Sequence, residues 1–212
     1  RRPPRSTLFP YTTLFRSDMS SAYILGKYCS IASGLGFMSD VKRCYENLSD
    51  DVKSSVPGEN LREGVEKYVS LSVGFEAKDF TLDNVDGKAI GMKQYLKGKK
   101  LVLLDFWASW CGPCRKEGEN IKAIYQDFHD QGFDVLGISL DSKKEAWLKG
   151  IQEEGYKWEQ VSDLLGVKSP VCKAYDVNGI PALFLLDGDG KVIGKNLRGD
   201  DLRKKVAEYL NR

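Results

Sequence analysis

An α/β fold is predicted for residues 75–212 on three observations. Two nearly continuous apolar runs, Leu101–Trp107 (LVLLDFW) and Phe133–Leu140 (FDVLGISL), have the length and composition of strands covered on both faces. Arg115–Phe128 separates them with helical periodicity, its apolar stripe being Ile121, Ile124, Tyr125 and Phe128. Two turn signals, Asp86-Gly87 and Asp187-Gly-Asp-Gly190, are bracketed by short segments in the manner of hairpins.

The N-terminal stretch Arg1–Ser17 stands apart. It holds four of the chain's 32 Lys and Arg residues and no acid; without it 28 basic residues face 30 acidic ones, a net −2 in place of +2. No basic stripe remains to engage a nucleic acid or an anionic membrane. The stretch lacks the apolar centre and small-residue cleavage site of a signal peptide. Read back into codons, RRPPRSTLFPYTTLFRS resembles, in frame, a common short-read sequencing adaptor, so an artefactual or disordered leader is expected. On that reading the native N-terminus and any targeting signal are missing from this sequence. Nowhere do about 18 apolar residues run together, so no membrane-spanning segment is expected in it.

Residues 18–74 read as short helices, a remnant of an upstream region or linker. Tyr23, Ile24, Leu25 and Tyr28 cluster at helical spacing, and Gly34 and Gly36 interrupt the pattern. Ser39 is placed to cap a second helix through Val41, Cys44, Tyr45 and Leu48. Pro57-Gly58 reads as a turn, and Asn60 as the cap of a third helix carrying Leu61, Val65, Tyr68 and Val69. So short a piece buries little by itself and is expected to pack on a neighbour.

From Phe75 the elements follow in order. Phe80–Leu82 and Lys88–Ile90 flank the first turn signal; the apolar strand, long helix and second strand come next. Lys143–Glu154 is helical, Ala182–Leu186 and Lys191–Asn196 form the second hairpin, and Asp201–Leu210 closes the chain as an amphipathic helix. Strands and helices in this alternation give a layered α/β domain.

The chemistry lies where the first apolar strand passes into the long helix, at Cys111-Gly112-Pro113-Cys114. Cysteines three apart in a first helical turn share a face and can close an exchangeable disulfide. Pro113 suits that turn, where its missing N–H has no partner to lose. Exposed amides at the helix's positive end stabilise a Cys111 thiolate. The dipole supplies about 0.3–1 kcal/mol, up to about 2 when partly buried, so further lowering needs hydrogen bonds to the sulfur. Thiolates attack disulfides, which makes Cys111 the nucleophile and Cys114 the resolving thiol. A bare pair of this spacing also fits zinc, but a second ligand pair is lacking: His129 is the only histidine, and Cys29, Cys44 and Cys172 show no such spacing. No metal and no bound cofactor are therefore expected; Cys29 and Cys44 read as structural, and Cys172 as a buried hydrophobe or a regulatory thiol.

LVLLDFWASWCGPCRKE, followed by Gly179-Ile180-Pro181, resembles the thioredoxin superfamily. Within it the chain is most similar to the TlpA/ResA-like extracytoplasmic thiol–disulfide oxidoreductases, over about Val73 to Leu210. Phe80-Thr-Leu-Asp83, Gly137-Ile-Ser-Leu-Asp141 and Phe184-Leu-Leu-Asp187 support the match. The resemblance implies a thioredoxin-like fold, a central mixed β-sheet flanked by helices with an N-terminal β-hairpin. It implies a cis Ile180–Pro181 bond facing the disulfide, with the Ile180 backbone open to a substrate's extended chain. Asp105 interrupts an apolar strand, where its pKa must rise, and the family places a buried proton-accepting acid there. Glu117, one turn beyond Cys114, matches a Glu beneath the disulfide in ResA-like proteins. Which of the two moves the proton stays open. Trp110, Gly112 and Pro113, with Ile180 and Pro181, are the implied substrate contacts. The family commonly kinks the long helix with a proline two residues after that Glu; here Gly118-Glu119 stands in its place.

The reading is thus an enzyme exchanging disulfides with protein thiols and disulfides, in the reducing direction by the Gly-Pro between its cysteines. It is supplied by an upstream electron donor and located in the periplasm or cell envelope by resemblance. Two alternatives stand beside it: a peroxiredoxin-like thiol peroxidase, which needs an Arg and a Thr beside its cysteine, and a non-catalytic thioredoxin-fold binding module. The client, the donor and any part in cytochrome c biogenesis are not specified by these residues.

Overall fold

The computed structural model describes residues 22–25, 38–69, 73–74 and 76–211. The leader at Arg1–Ser17, Tyr28, Cys29 and the interruptions at Gly34 and Gly36 lie outside the described residues, as do the side chains of Tyr68 and Val69. The chain divides into two units, Arg1–Ser72 and Val73–Arg212. Among the described residues, no helix is long and apolar enough to cross a membrane.

The first unit holds α1 (Met38–Glu46), α2 (Asp50–Lys53) and α3 (Val56–Val69). Ala22, Leu25, Val41, Leu48, Val52, Leu61 and Val65 close a small core of their own, with Cys44 and Tyr45 packed against it. Two expected boundaries are corrected. Ser39 lies inside α1, which starts at Met38. Pro57-Gly58 is the first turn of α3, where a proline costs no hydrogen bond. The cap is Ser55, whose Oγ accepts from the Gly58 N–H at 3.2 Å, and Asn60 lies a turn inside.

The second unit is built on one seven-stranded mixed sheet, ordered β2-β1-β5-β4-β3-β6-β7. Its strands are β1 (Thr81–Asn84), β2 (Ala89–Gly91), β3 (Leu101–Trp107), β4 (Phe133–Ser139), β5 (Glu159–Ser162), β6 (Ala182–Asp187) and β7 (Val192–Lys195). The two apolar runs are β3 and β4, parallel neighbours in register from Leu101↔Phe133 to Trp107↔Ser139, with every residue buried. The hairpins are β1–β2 and β6–β7, both antiparallel. Phe106, Tyr175 and Phe184 meet at ring separations of 5.1–5.9 Å in the core.

Helices α4 (Met92–Tyr95), α5 (Gly112–Phe128), α6 (Lys144–Glu154), α7 (Pro170–Ala174) and α8 (Gly199–Leu210) complete the unit. The sequence pattern did not reveal α4, β5 or α7. In β5 Gln160 is buried because its Oε1 accepts from Trp107 Nε1 at 2.9 Å, so a polar residue occupies a core position. Helix α5 runs as α-helix without a break through Gly118. That glycine serves packing: a Cβ there would stand 2.2 Å from Tyr156 Oη.

Because β3, β4 and β5 are parallel and β6 runs antiparallel to β3, four junctions share one edge of the sheet. They are the turn after β3, the segment after β4, the loop after β5 and the approach to β6.

Candidate active site

Cys111 and Cys114 are joined as a disulfide at that edge. Cys111 is the N-cap of α5, and its Sγ accepts from the Cys114 N–H at 3.2 Å, a hydrogen bond of the kind the sulfur needs beyond the helix dipole. Both cysteines are buried, at 5% and 3% exposure, whereas Trp110 beside them is 63% exposed. Gly112 and Pro113 between them face solvent. The Ile180–Pro181 bond is cis, and the Ile180 carbonyl oxygen stands 3.8 Å from Cys111 Sγ. Helix N-terminus, exposed indole and proline loop therefore surround one sulfur.

Two buried carboxyl groups, one on the strand before the pair and one a turn beyond it, interact with each other. Asp105, on β3, is buried and its pKa is pushed up to about 7, first by desolvation and then by repulsion from Glu117. Glu117, on α5, is buried with both oxygens engaged: Oε1 accepts from the Gly199 N–H at 2.9 Å and Oε2 from Asn120 Nδ2 at 3.1 Å. The two acids thus differ in kind. One is a desolvated carboxyl that takes up a proton near neutral pH; the other is fixed by two donors.

Sequence reasoning missed several residues that build this site. Arg198 Nη2 donates to the Pro181 carbonyl at 2.8 Å, so neighbouring residues at the start of α8 hold both the proline loop and Glu117. Asp141, buried after β4, accepts from Ser109 N at 2.9 Å, Ser109 Oγ at 2.7 Å and Ser139 Oγ at 2.8 Å, which anchors the turn into Trp110-Cys111. Tyr156 packs edge-on to Trp107 at 5.0 Å, and its hydroxyl, raised by burial, feels the Asp105 charge. Spacing along the chain carries no signal for any of these contacts except Asp141, which lies in a motif already singled out.

Two further cysteines are free thiols among the described residues. Cys172 is a buried thiol on α7, pushed up to about 11 mainly by desolvation. Cys44 belongs to the first unit. Among the described residues of the second unit, no Arg and Thr pair is seen gathered at Cys111 as a peroxidatic setting would need. Arg115 is committed to Glu153 at 3.0 Å and to Glu154. The single threonine of the described residues, Thr81, lies on β1, three strands from β3 and about 14 Å away at ordinary strand spacing.

Residues 73–195 match the model of the AhpC/TSA family. The chain belongs to the AhpC/TSA family. Relatives named "Thiol-disulfide oxidoreductase ResA" are similar to it. That of Bacillus cereus is 30% identical over 76% of this chain and 90% of the relative; that of Bacillus subtilis is 33% identical over 67% and 76%. A solved thioredoxin domain of a thiol-disulfide oxidoreductase from Bacteroides vulgatus superposes with a TM-score of 0.62 at 36% identity, covering 66% of this chain and 99% of that domain. A thiol:disulfide interchange protein from a Bacteroides species gives 0.61 at 36%, covering 68% and 93%. This AhpC/TSA member is a thioredoxin-fold thiol–disulfide oxidoreductase. The enzyme assignment displaces the binding module.

Proposed function

We propose that the protein reduces disulfides in protein substrates, with Cys111 as nucleophile and Cys114 as resolving thiol. The observation that carries this reading is the setting of Cys111 Sγ: helix N-cap, Cys114 N–H donated to it, Ile180 carbonyl beside it. In the reduced enzyme the Cys111 thiolate attacks a substrate disulfide, forming a mixed disulfide and releasing one substrate thiolate. Asp105 accepts the Cys114 proton. The Cys114 thiolate then attacks Cys111 Sγ, closing the Cys111–Cys114 bond and releasing the second substrate thiol. A dithiol donor returns two electrons to the pair.

Burial does most to raise the proton affinity of Asp105 to near neutrality, and the Glu117 charge adds to it. Trp110, Gly112, Pro113, Ile180 and Pro181 form the contact surface for the substrate chain. No bound cofactor is required, since the two electrons passed to the substrate disulfide are carried by the reduced Cys111 and Cys114 thiols themselves. The reducing direction rests on the Gly-Pro between the cysteines, and a place in the periplasm or cell envelope rests on the TlpA/ResA resemblance.

Redox titration of the full chain against dithiol buffers, followed by Trp110 fluorescence, tests the direction. A two-electron transition near or below about −250 mV supports a reductase. A value near about −120 mV marks an oxidant and reverses the direction.

A further inference from the structure

We propose that Leu165 and Val167 form, with Trp110, an apolar docking ridge for the chain that flanks a protein substrate's reactive cysteine. The proposal rests on the exchange reaction above and adds which substrates it favours.

Among the described residues of the second unit, the exposed large apolar side chains are Val73, Trp110, Leu148, Leu165 and Val167. Trp110, Leu165 and Val167 are 63%, 53% and 72% exposed, and all belong to junctions on the disulfide's edge of the sheet. The two junctions are linked through the end of β4. A Cβ at buried Gly166 would stand 3.5 Å from the Leu140 carbonyl oxygen, and the Leu140 N–H donates to Trp107 O at 2.8 Å. The next residue, Asp141, holds Ser109, which precedes Trp110.

The loop that carries the pair is pinned from below. Asp163 accepts from the Leu165 N–H at 3.0 Å and from Ser169 Oγ at 2.6 Å. Ser162 Oγ donates to Ser139 O at 2.9 Å and accepts from the Leu164 N–H at 3.1 Å. Leu164 is held at φ +57°, a left-handed conformation unfavourable for leucine. Strain, fixed backbone and two apolar side chains left in water coincide in one loop, on the same edge of the sheet as the reacting sulfur. Apolar surface so placed is the signature of an interaction site.

Geometry sets the occupant. Cys111 follows β3, flanked by Ile180 on the β6 side and by the Leu165–Val167 loop on the β5 side. Strands β3 and β5 are separated by β4, so the ridge lies about 10 Å from the cysteine turn, the span of about three extended residues. The favoured substrate is therefore an extended segment with a bulky apolar side chain about three positions from its cysteine.

Two synthetic peptides test this, each with one cysteine in mixed disulfide with thionitrobenzoate and either Leu or Ser three positions to both sides. Reduced full-length protein displaces the coloured thiolate as Cys111 takes up the peptide sulfur. The Leu peptide is expected to react about ten-fold faster, the effect of partly burying one apolar side chain. Leu165→Ser/Val167→Ser should bring the ratio to within about two-fold. Its rate with the small disulfide 5,5′-dithiobis(2-nitrobenzoate) should be unchanged, which shows the variant is folded and reactive. Equal peptide rates in the wild type, or a preference that survives the double substitution, overturn the ridge alone. No reaction of the wild type with the small disulfide overturns the exchange reading, and the ridge with it.

Discussion

The backbone N–H of Gly199 donates to Glu117 Oε1 at 2.9 Å, tying the first turn of α8 to a buried carboxylate one helical turn beyond Cys114. The charge so fixed adds to the burial that raises Asp105. Glu117→Gln keeps the acceptor for Gly199 and removes the charge. Asp105 should then titrate lower, and the acid limb of the pH–rate profile for disulfide exchange should move to lower pH. An unmoved limb would show that the two carboxyls are uncoupled.

Asp105→Asn separates stability from activity. The folded-state pKa of about 7 exceeds the ordinary 3.8, so the folded protein keeps a proton that the unfolded chain releases. Stability should fall as pH rises from about 4 to 7 and stay at the lower value above. Asparagine cannot ionise, so that decline should flatten, with a gain on the order of 2–4 kcal/mol at pH 8. Closure of the mixed disulfide by Cys114 should slow by about 10²-fold or more. Denaturant melts at pH 5 and pH 8, with stopped-flow exchange, read both effects; a variant no more stable at pH 8 would refute the buried ionised carboxylate.

Gly118→Ala should destabilise by about 1–3 kcal/mol, because its methyl group would meet Tyr156 Oη at 2.2 Å. Tyr156→Phe removes that oxygen, so the double variant should recover part of the loss. A double-mutant cycle in urea gives a coupling of about 0.5 kcal/mol or more if the contact is as described, and none if the helix yields instead.

Cys111→Ser should abolish exchange, whereas Cys114→Ser should accumulate a mixed disulfide with a protein substrate. Non-reducing gels show the adduct, and dithiothreitol removes it. Full activity in both variants would end the assignment of roles.

Strands β3 and β4 were legible because burial on both faces demands an unbroken apolar run, and few other structures produce one. The active pair was legible because Cys-Gly-Pro-Cys joins a spacing to a helix start. Strand β5 was not: its buried Gln160 is explained only by the Trp107 indole it bonds, a partner far away in sequence. The start of α3 was missed because Pro57-Gly58 has the composition of a turn and the position of a first helical turn. Arg198 and Gly199 escaped notice for a further reason, since their bonds to Pro181 and Glu117 come from how α8 is laid against α5. Glu117 was singled out by the resemblance to ResA-like proteins, since spacing from Cys114 alone left it undecided, and its fixation by Gly199 and Asn120 needed the fold.

The seven-stranded sheet is bounded by β2, of three residues, and β7, of four, with a register shift where β6 meets β7. For an enzyme acting on polypeptide clients, such short margins have a consequence. Half-folded chains seek unpaired strand edges, and a long open margin would collect them along its whole length. Here that route of capture is largely closed, which leaves a client to be gripped chiefly at the loops around the cysteine pair. Its hold then depends on those loops together with the covalent bond, and it is let go when that bond is exchanged.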